Sequence, residues 1–499
     1  MTLLALVPHA GQSNMGFTTA GEYNATAELA TATSENYPHI KLFAIQSANT
    51  SVEAADVKRR FKIGWTNLTT PGNTNPDANP VAQFSAVCWN AGKTLSQMLS
   101  RAGKVHPLGM VDTSLGSTRV ECWMPPAYVA GCAARYNASQ PGKGHDGGKC
   151  SHVAWVGPPG TFYNGMIAPL ARTIRPAALV YYQGENNMWD GIDGYHCLGD
   201  ALAVAWRSAF STAPAGVVAN ITDGADGAGT TAAGAGATVP WFVVQLAPCC
   251  GDNDGLIAGS YIREAQRRTT LTTADAHLIV LNDLGDAGPN LLKPSKAAPA
   301  THPKNKTEPG RRLALELASR LVPDVAGPPT ALQWPPALRS TSLSADGNTL
   351  AFTFSNATGL HWMPTHNCSA YSNSSIAGEG SPCCSKATQV VQLNNQTKPD
   401  VGYAFTSMWT FVPAALNGDT LVVQVPSAAG GNAVDLAAGG GDNDGWRWVR
   451  FQFDSQPLCV LANEGKLPTS AFVVPIPPPS RVATTGVAAM HEGLAVSAV

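Results

Sequence analysis

The chain has 499 residues, a formal charge of −2 and only 13% charged residues. With no extended Lys/Arg run, that balance argues against nucleic acid and anionic membranes as partners, and no apolar stretch reaches the ~18 residues that a membrane span needs. The length calls for two domains, or for one large domain with an appendage.

In chain order, the apolar residues 3–7 read as a buried strand, and the polar cluster Gly11-Gln12-Ser13-Asn14-Met15 follows it. Residues 20–32 read as a weak helix, and a polar loop runs from there to residue 80. Val87, Ala91, Leu95, Met98 and Leu99 fall at helical spacing and predict a helix over 82–101. Residues 107–111 read as a strand, with the loop 112–118 after it. The stretch 127–160 is irregular, with Cys132 and Cys150 placed to staple it. A short helix is expected over 162–172 and a strand over 177–182, followed at once by Gln183-Gly184-Glu185-Asn186-Asn187.

A helix over 198–210 then leads to a Gly/Ala/Thr-rich insertion at 211–240, read as a loop. Further strands fall at 241–246 and 277–281, with helices at 261–270 and 306–322. Strand, polar loop and helix thus repeat four or five times, which predicts an α/β fold with a parallel sheet and helices on both faces. After the Pro-rich stretch 323–336 the pattern turns to β, at 349–354, 390–393, 420–425 and 446–453. The expected division is a catalytic-type domain over 1–325, a smaller β-rich domain over 337–480, and a disordered tail over 481–499.

Several of the strand ends carry residues suited to acyl transfer. That reaction needs a nucleophile, a base to take its proton, and preorganised donors for the tetrahedral oxyanion. Ser13 is the candidate nucleophile and His302 the candidate base. The Gly116 N–H, unshielded by any side chain, and the neutral amides of Gln183 and Asn187 are the candidate oxyanion donors. Each residue alone also fits an ordinary turn or surface role; their shared position at strand ends is what points to chemistry.

Ten Asn-x-Ser/Thr sequons, from Asn24 to Asn395, and eleven cysteines without metal-ligand spacing fit an oxidising compartment. Residues 1–10 lack a basic start and hold too short an apolar run for a signal peptide. The expectation is a secreted or lysosomal glycoprotein whose own N-terminus lies upstream of Met1. No oligomeric state can be read from the sequence.

The four segments Gly11-Gln12-Ser13-Asn14-Met15, Tyr182-Gln183-Gly184-Glu185-Asn186-Asn187, Asp283-Leu284-Gly285-Asp286 and His302-Pro303-Lys304-Asn305-Lys306, in this order, resemble the sialate O-acetylesterases. These are a branch of the SGNH-hydrolase superfamily, related to acetylxylan esterases. Ser85 to Trp89, residues 113–123, Cys383-Cys384 and the Pro-rich stretch near Pro475 resemble the eukaryotic members. The likeness covers most of 1–325 and fades towards 480. It implies a flavodoxin-like sheet, a Ser13 nucleophile and a His302 base. It also implies an oxyanion hole made of the Ser13 and Gly116 N–H groups and an amide of the Gln183 to Asn187 loop. The implied substrate is an O-acetylated sugar or polysaccharide, with no metal and no cofactor.

The chain departs from that pattern in places. Many members carry Asp two or three residues before the His, where this sequence has Ala300 and Pro299; Asp283 and Asp286 are the alternative acids. Ser117 replaces a second Gly, Asn186 replaces Ser, and the family's β structure ahead of the first strand is absent. A reading from another class is a catalytically inactive carbohydrate-binding protein with a lectin-like C-terminal region. A lipase or thioesterase of the same superfamily is a third. No Gly-x-Ser-x-Gly is present, which argues against an α/β-hydrolase elbow.

Overall fold

The computed structural model describes residues 5–58, 67–68, 79–133, 150, 157–211, 238–248, 258–285, 301–326, 334–364, 391–395, 409–426, 446–452 and 459–479. Six parallel strands form the central sheet: β1 (Ala5–Gly11), β2 (Ile40–Ala44), β3 (Leu108–Asp112), β4 (Leu179–Tyr182), β5 (Trp241–Val244) and β6 (Ala276–Ile279), in the order β2-β3-β1-β4-β5-β6. The chain leaves β1 towards β2 and leaves β4 towards β5. Strand order therefore reverses between β1 and β4, the place where open α/β sheets bind their ligands.

Four long helices cover the sheet: α1 (Ala86–Arg101), α2 (Gly191–Ser211), α3 (Ala258–Thr272) and α4 (Thr307–Leu321). Side chains alternate across a strand, so each strand feeds both faces. Val180, Tyr182, Phe242 and Val244 pack beneath α1 and α4 with Val87, Leu95, Leu313 and Leu317. Leu179, Tyr181, Trp241 and Val243 pack beneath α2 and α3 with Leu198, Trp206, Ile262 and Ala265. Each fully buried side chain of this kind contributes roughly 1.5–3 kcal/mol.

The α/β sheet with helices on both faces is as expected, but boundaries differ. β1 runs on to Gly11 rather than stopping at Val7, because Pro8 does not interrupt it. The C=O groups of His9 and Gly11 face β3, accepting from Thr113 and Leu115, which turns the missing N–H of Pro8 towards β4. The β4 ladder begins only at His9, so no bond is lost. β2 was expected as loop; it is an edge strand whose Ile40, Leu42 and Ala44 are buried. α1 starts at Ala86, not residue 82, because the Ser85 hydroxyl caps it by accepting from the Cys88 N–H at 3.2 Å. The residue 162–172 helix runs over 161–171 and carries a π turn (Tyr163–Ile167) inside it. Cys132 pairs with Cys197 of α2, while Cys150 is a buried free thiol, so the expected Cys132/Cys150 staple is not formed. The insertion at 212–237 and the tail at 481–499 lie outside the described residues.

Beyond α4 and a short helical turn (Pro323–Ala326), the described strands pair antiparallel, two of them, β9 (His361–Pro364) and β15 (Cys459–Ala462), as a two-stranded ribbon. One four-stranded sheet holds β7 (Ala337–Leu343), β8 (Thr349–Ser355), β12 (Ala414–Asn417) and β13 (Thr420–Gln424). The other holds β10 (Val391–Asn394), β11 (Thr410–Val412), β14 (Trp448–Phe451) and β16 (Phe472–Pro475). Their apolar faces meet through Phe352, Phe354, Phe451 and Phe472. The loop before β16 reaches the central sheet, where Gln245 donates to the Ser470 hydroxyl at 2.7 Å and Asn282 to the Thr469 C=O at 3.1 Å. Both donors lie just past the ends of β5 and β6. The β-rich region thus covers that half of the sheet edge and leaves the ends of β1, β2 and β3 open.

Candidate active site

The loop after β1 is pinned before it turns. Gly11 has φ +142°, and a Cβ there would fall 1.9 Å from the Tyr182 C=O, so only glycine lets β1 lie this close to β4. The Gly16 N–H closes the turn on the Gln12 C=O at 2.9 Å. The Ser85 hydroxyl that caps α1 also donates to the Met15 C=O at 2.5 Å, tying the loop to a helix start. Ser13 stands half-exposed on this fixed turn.

The loop after β3 is held by Asp112, whose carboxylate accepts from the Ser114 N–H at 2.9 Å and its hydroxyl at 2.5 Å. This is a local turn of the kind Asp favours. It brings Gly116 beside Ser13: a Cβ on Gly116 would lie 3.3 Å from the Cβ of Ser13. Neither the Ser13 N–H nor the Gly116 N–H has a partner among the described residues. Both are therefore available as donors.

The loop after β4 does something other than expected. Gln183 and Asn187 are fully buried, and neither lines the cleft. Three oxygens share the two amide hydrogens of Gln183: Asn187 Oδ1 at 2.7 Å, Thr118 O at 3.1 Å and Gln12 Oε1 at 3.2 Å. The Asn187 amide donates to Glu121 at 2.9 Å and Asp190 at 2.5 Å. With their hydrogens committed, these amides brace the site from behind, which departs from the oxyanion role read in the sequence.

Beneath them Arg119, buried, bonds both Glu121 (2.9 Å) and Asp190 (2.7 Å). Burial alone would raise Glu121, but the Arg119 charge and hydrogen bonds from Arg119 and Asn187 hold it below the usual carboxylate range. Asp190 is pushed up to about 7, by burial first and then by Glu121.

His302 lies on the loop ahead of α4. The Tyr23 N–H binds the Lys304 C=O at 3.0 Å, and Asn14 Nδ2 binds the Thr301 C=O at 2.8 Å. Lys306, buried beneath the rings of Phe17 and Tyr182, donates to Asn14 Oδ1 at 2.6 Å. The His302 ring sits 6.2 Å from that of Phe17. Its Nε2 is buried and has no partner among the described residues. Burial, and secondarily the Lys306 charge, lower the His302 pKa below 6.5, which keeps the ring neutral and able to accept a proton at pH 7. Asp283 does not orient it: both carboxylate oxygens are held by Arg312, at 2.7 and 2.6 Å. Asp286 lies outside the described residues.

These loops enclose an open cleft of about 870 Å³ lined by Ser13, Gly16, Phe17, Thr18, Gln46, Ser47, Ser114, Leu115, Gly116 and His302. Three of the five expected site residues, Ser13, Gly116 and His302, share it. Asn14, Glu185 and Lys306 are not among the site residues expected from the sequence. The available signal was Glu185, a lone carboxylate among amides in a strand-end loop. Among the described residues no group of three or more His, Cys, Asp or Glu is placed to hold a metal ion.

No protein-family model matches the chain. Among curated proteins it is similar to sialate O-acetylesterase of Homo sapiens, 29% identical over 201 residues, 40% of this chain and 34% of the relative. It is also similar to sialate O-acetylesterase of Rattus norvegicus, 28% identical over 219 residues, 40% of this chain and 38% of the relative. The matches thus span 34–38% of the length of these curated relatives. Among solved structures, a carbohydrate acetylesterase from Xanthomonas citri superposes with a TM-score of 0.59 at 20% identity, covering 94% of this chain and 80% of that one. The last comparison establishes a shared fold.

Proposed function

We propose that the chain is a serine esterase that removes O-acetyl groups from carbohydrates, similar in activity to the sialate O-acetylesterases its sequence resembles. The observation that carries the reading is the convergence of Ser13, Gly116 and His302 on one cleft beyond the ends of β1 and β3. The Ser13 hydroxyl attacks the acetyl carbonyl while neutral His302 takes its proton. Charge on the carbonyl oxygen is met by the Ser13 and Gly116 N–H groups. The protonated imidazole then returns its proton to the departing sugar hydroxyl, leaving an acetyl-serine. Water, deprotonated by His302, attacks that ester, and the imidazolium returns the proton to the Ser13 oxygen as acetate leaves.

Preorganised donors of this kind are each worth about 10²–10³ in rate. The ten sequons and the Cys132–Cys197 disulfide support a secretory or lysosomal setting, and no described helix is long and apolar enough to cross a membrane. Residues 1–325 are proposed as the catalytic unit.

Acetate release from p-nitrophenyl acetate, 9-O-acetyl sialic acid and acetylated xylan, wild type beside Ser13→Ala, tests the reading. Serine-dependent turnover supports it, and the preferred sugar separates a sialate from a polysaccharide substrate. Absence of turnover and of fluorophosphonate labelling in folded protein would replace it with an inactive carbohydrate-binding protein.

A further inference from the structure

Glu185 sits in the loop after β4 and does not line the cleft, yet it holds the residues on both sides of Ser13. One carboxylate oxygen accepts from the Gln12 amide and the other from the Asn14 amide. We infer that Glu185 is a positioning residue that fixes the nucleophile against the base, a role resting on the reading of Ser13 and His302 above.

The link to the base runs through Asn14. Its amide also donates to the Thr301 C=O at 2.8 Å, one residue before His302, and its carbonyl accepts from Lys306 at 2.6 Å, four residues after. The loop that carries the imidazole is thus tied on both sides of His302 to the residue next to the nucleophile. That residue is in turn held by the carboxylate. Burial pushes the Glu185 carboxyl up and the Asn14 amide holds it down in turn; with both oxygens accepting amide hydrogens it serves as the acceptor-only carboxylate, whose bonds are about twice as strong as neutral ones. Neither segment belongs to a helix or strand of its own at these residues, so side-chain bonds set their spacing.

In a Ser-His-Asp triad the carboxylate orients the ring by touching it. Here positions 299 and 300 are Pro and Ala, and Asp283 is bound by Arg312. Glu185 orients the base from a distance, by holding the loop rather than the ring.

The test compares full-length wild type, Glu185→Gln and the double variant Gln12→Glu/Glu185→Gln with p-nitrophenyl acetate, active sites counted by fluorophosphonate labelling. The single variant keeps the volume but sets an NH2 group against an NH2 group. It should lose about 30- to 300-fold in kcat with KM changed less than about threefold, the scale of a misplaced reacting group. Its backbone amides at 301–306 should exchange faster with deuterium.

In the double variant carboxylate and amide have changed places and every donor again faces an acceptor, so most of the kcat should return. A kcat for Glu185→Gln within about threefold of wild type overturns the inference, as does a double variant of native stability with no recovered kcat. Wild-type activity in Ser13→Ala would instead remove the reading beneath it. If Glu185→Gln does not fold, Gln12→Leu removes one donor and keeps the carboxylate. It should lower kcat about tenfold at unchanged KM, and an unchanged kcat there overturns the inference equally.

Discussion

Gly116 and Ser13 are packed so closely that a methyl group on Gly116 would lie 3.3 Å from the Ser13 Cβ. That approach sets the loops after β1 and β3 against each other, each with a backbone N–H that has no partner among the described residues. Gly116→Ala should therefore displace the serine by a few tenths of an ångström. We expect about a tenfold fall in kcat with p-nitrophenyl acetate, since a 1 Å misplacement costs about 10². An unaltered kcat would mean that the loop yields freely and that Gly116 does not set the geometry.

Ser13→Ala and His302→Ala should each lower kcat by at least about 10³ with melting temperatures close to wild type. Both side chains are partly exposed on loops and neither fills a core. Retention of more than about a tenth of wild-type turnover in either would reassign its role.

Gln183→Ala should act on stability before chemistry. It strips the donor from Gln12 Oε1 and the Thr118 C=O, while Asn187 Oδ1 keeps the Val120 N–H and the Tyr195 hydroxyl keeps the Gln183 C=O. Each buried group left unpaired costs about 1–3 kcal/mol. Denaturant titration should show that loss, while the folded fraction retains most of its kcat. Unchanged stability with a 10²–10³-fold lower kcat would return the amide to the oxyanion hole. Asn187→Ala, which removes the amide donated to Glu121 Oε2 and Asp190 Oδ2, should behave like Gln183→Ala.

If His302 is the base proposed above it must be neutral to work, and burial with the Lys306 charge lowers its pKa. The acid limb of kcat/KM should accordingly lie below pH 6.5; a limb at or above it contradicts the assignment. Stability shares the sign. His9, buried with a pKa pushed down to about 4, binds no proton in the folded state where the unfolded chain does. Its contribution is complete above 6.5 and is lost as pH falls towards 4, so His9→Gln should flatten that part of the pH–stability curve.

Cys132 and Cys197 close a loop with a sequence separation of 65. Replacing both by Ser should cost about 2–4 kcal/mol and leave kcat unchanged, because neither residue lines the cleft. A parallel loss of kcat in the folded protein would show that the bond supports the site.

Much of this molecule is legible in the sequence because its signals are local. Apolar runs ending in polar loops, alternating with helical spacing such as Val87, Ala91 and Leu95, specify a parallel α/β sheet, and the turn residues around Ser13 and Gly116 mark its open edge. Asp283 and the amides of Gln183 and Asn187 looked equally fit for catalysis by residue type. Only the tertiary structure assigned their partners, placing Arg312 on the first and a buried Arg119–Glu121–Asp190 cluster around the others. The same holds for β2, an edge strand that pairing with β3 recruits, and for Cys132, whose partner lies on α2. Local propensity determines which elements form. Which polar groups stay free to do chemistry depends on hydrogen bonds between residues such as Asn14 and Thr301, 287 positions apart, and chain packing alone brings those together.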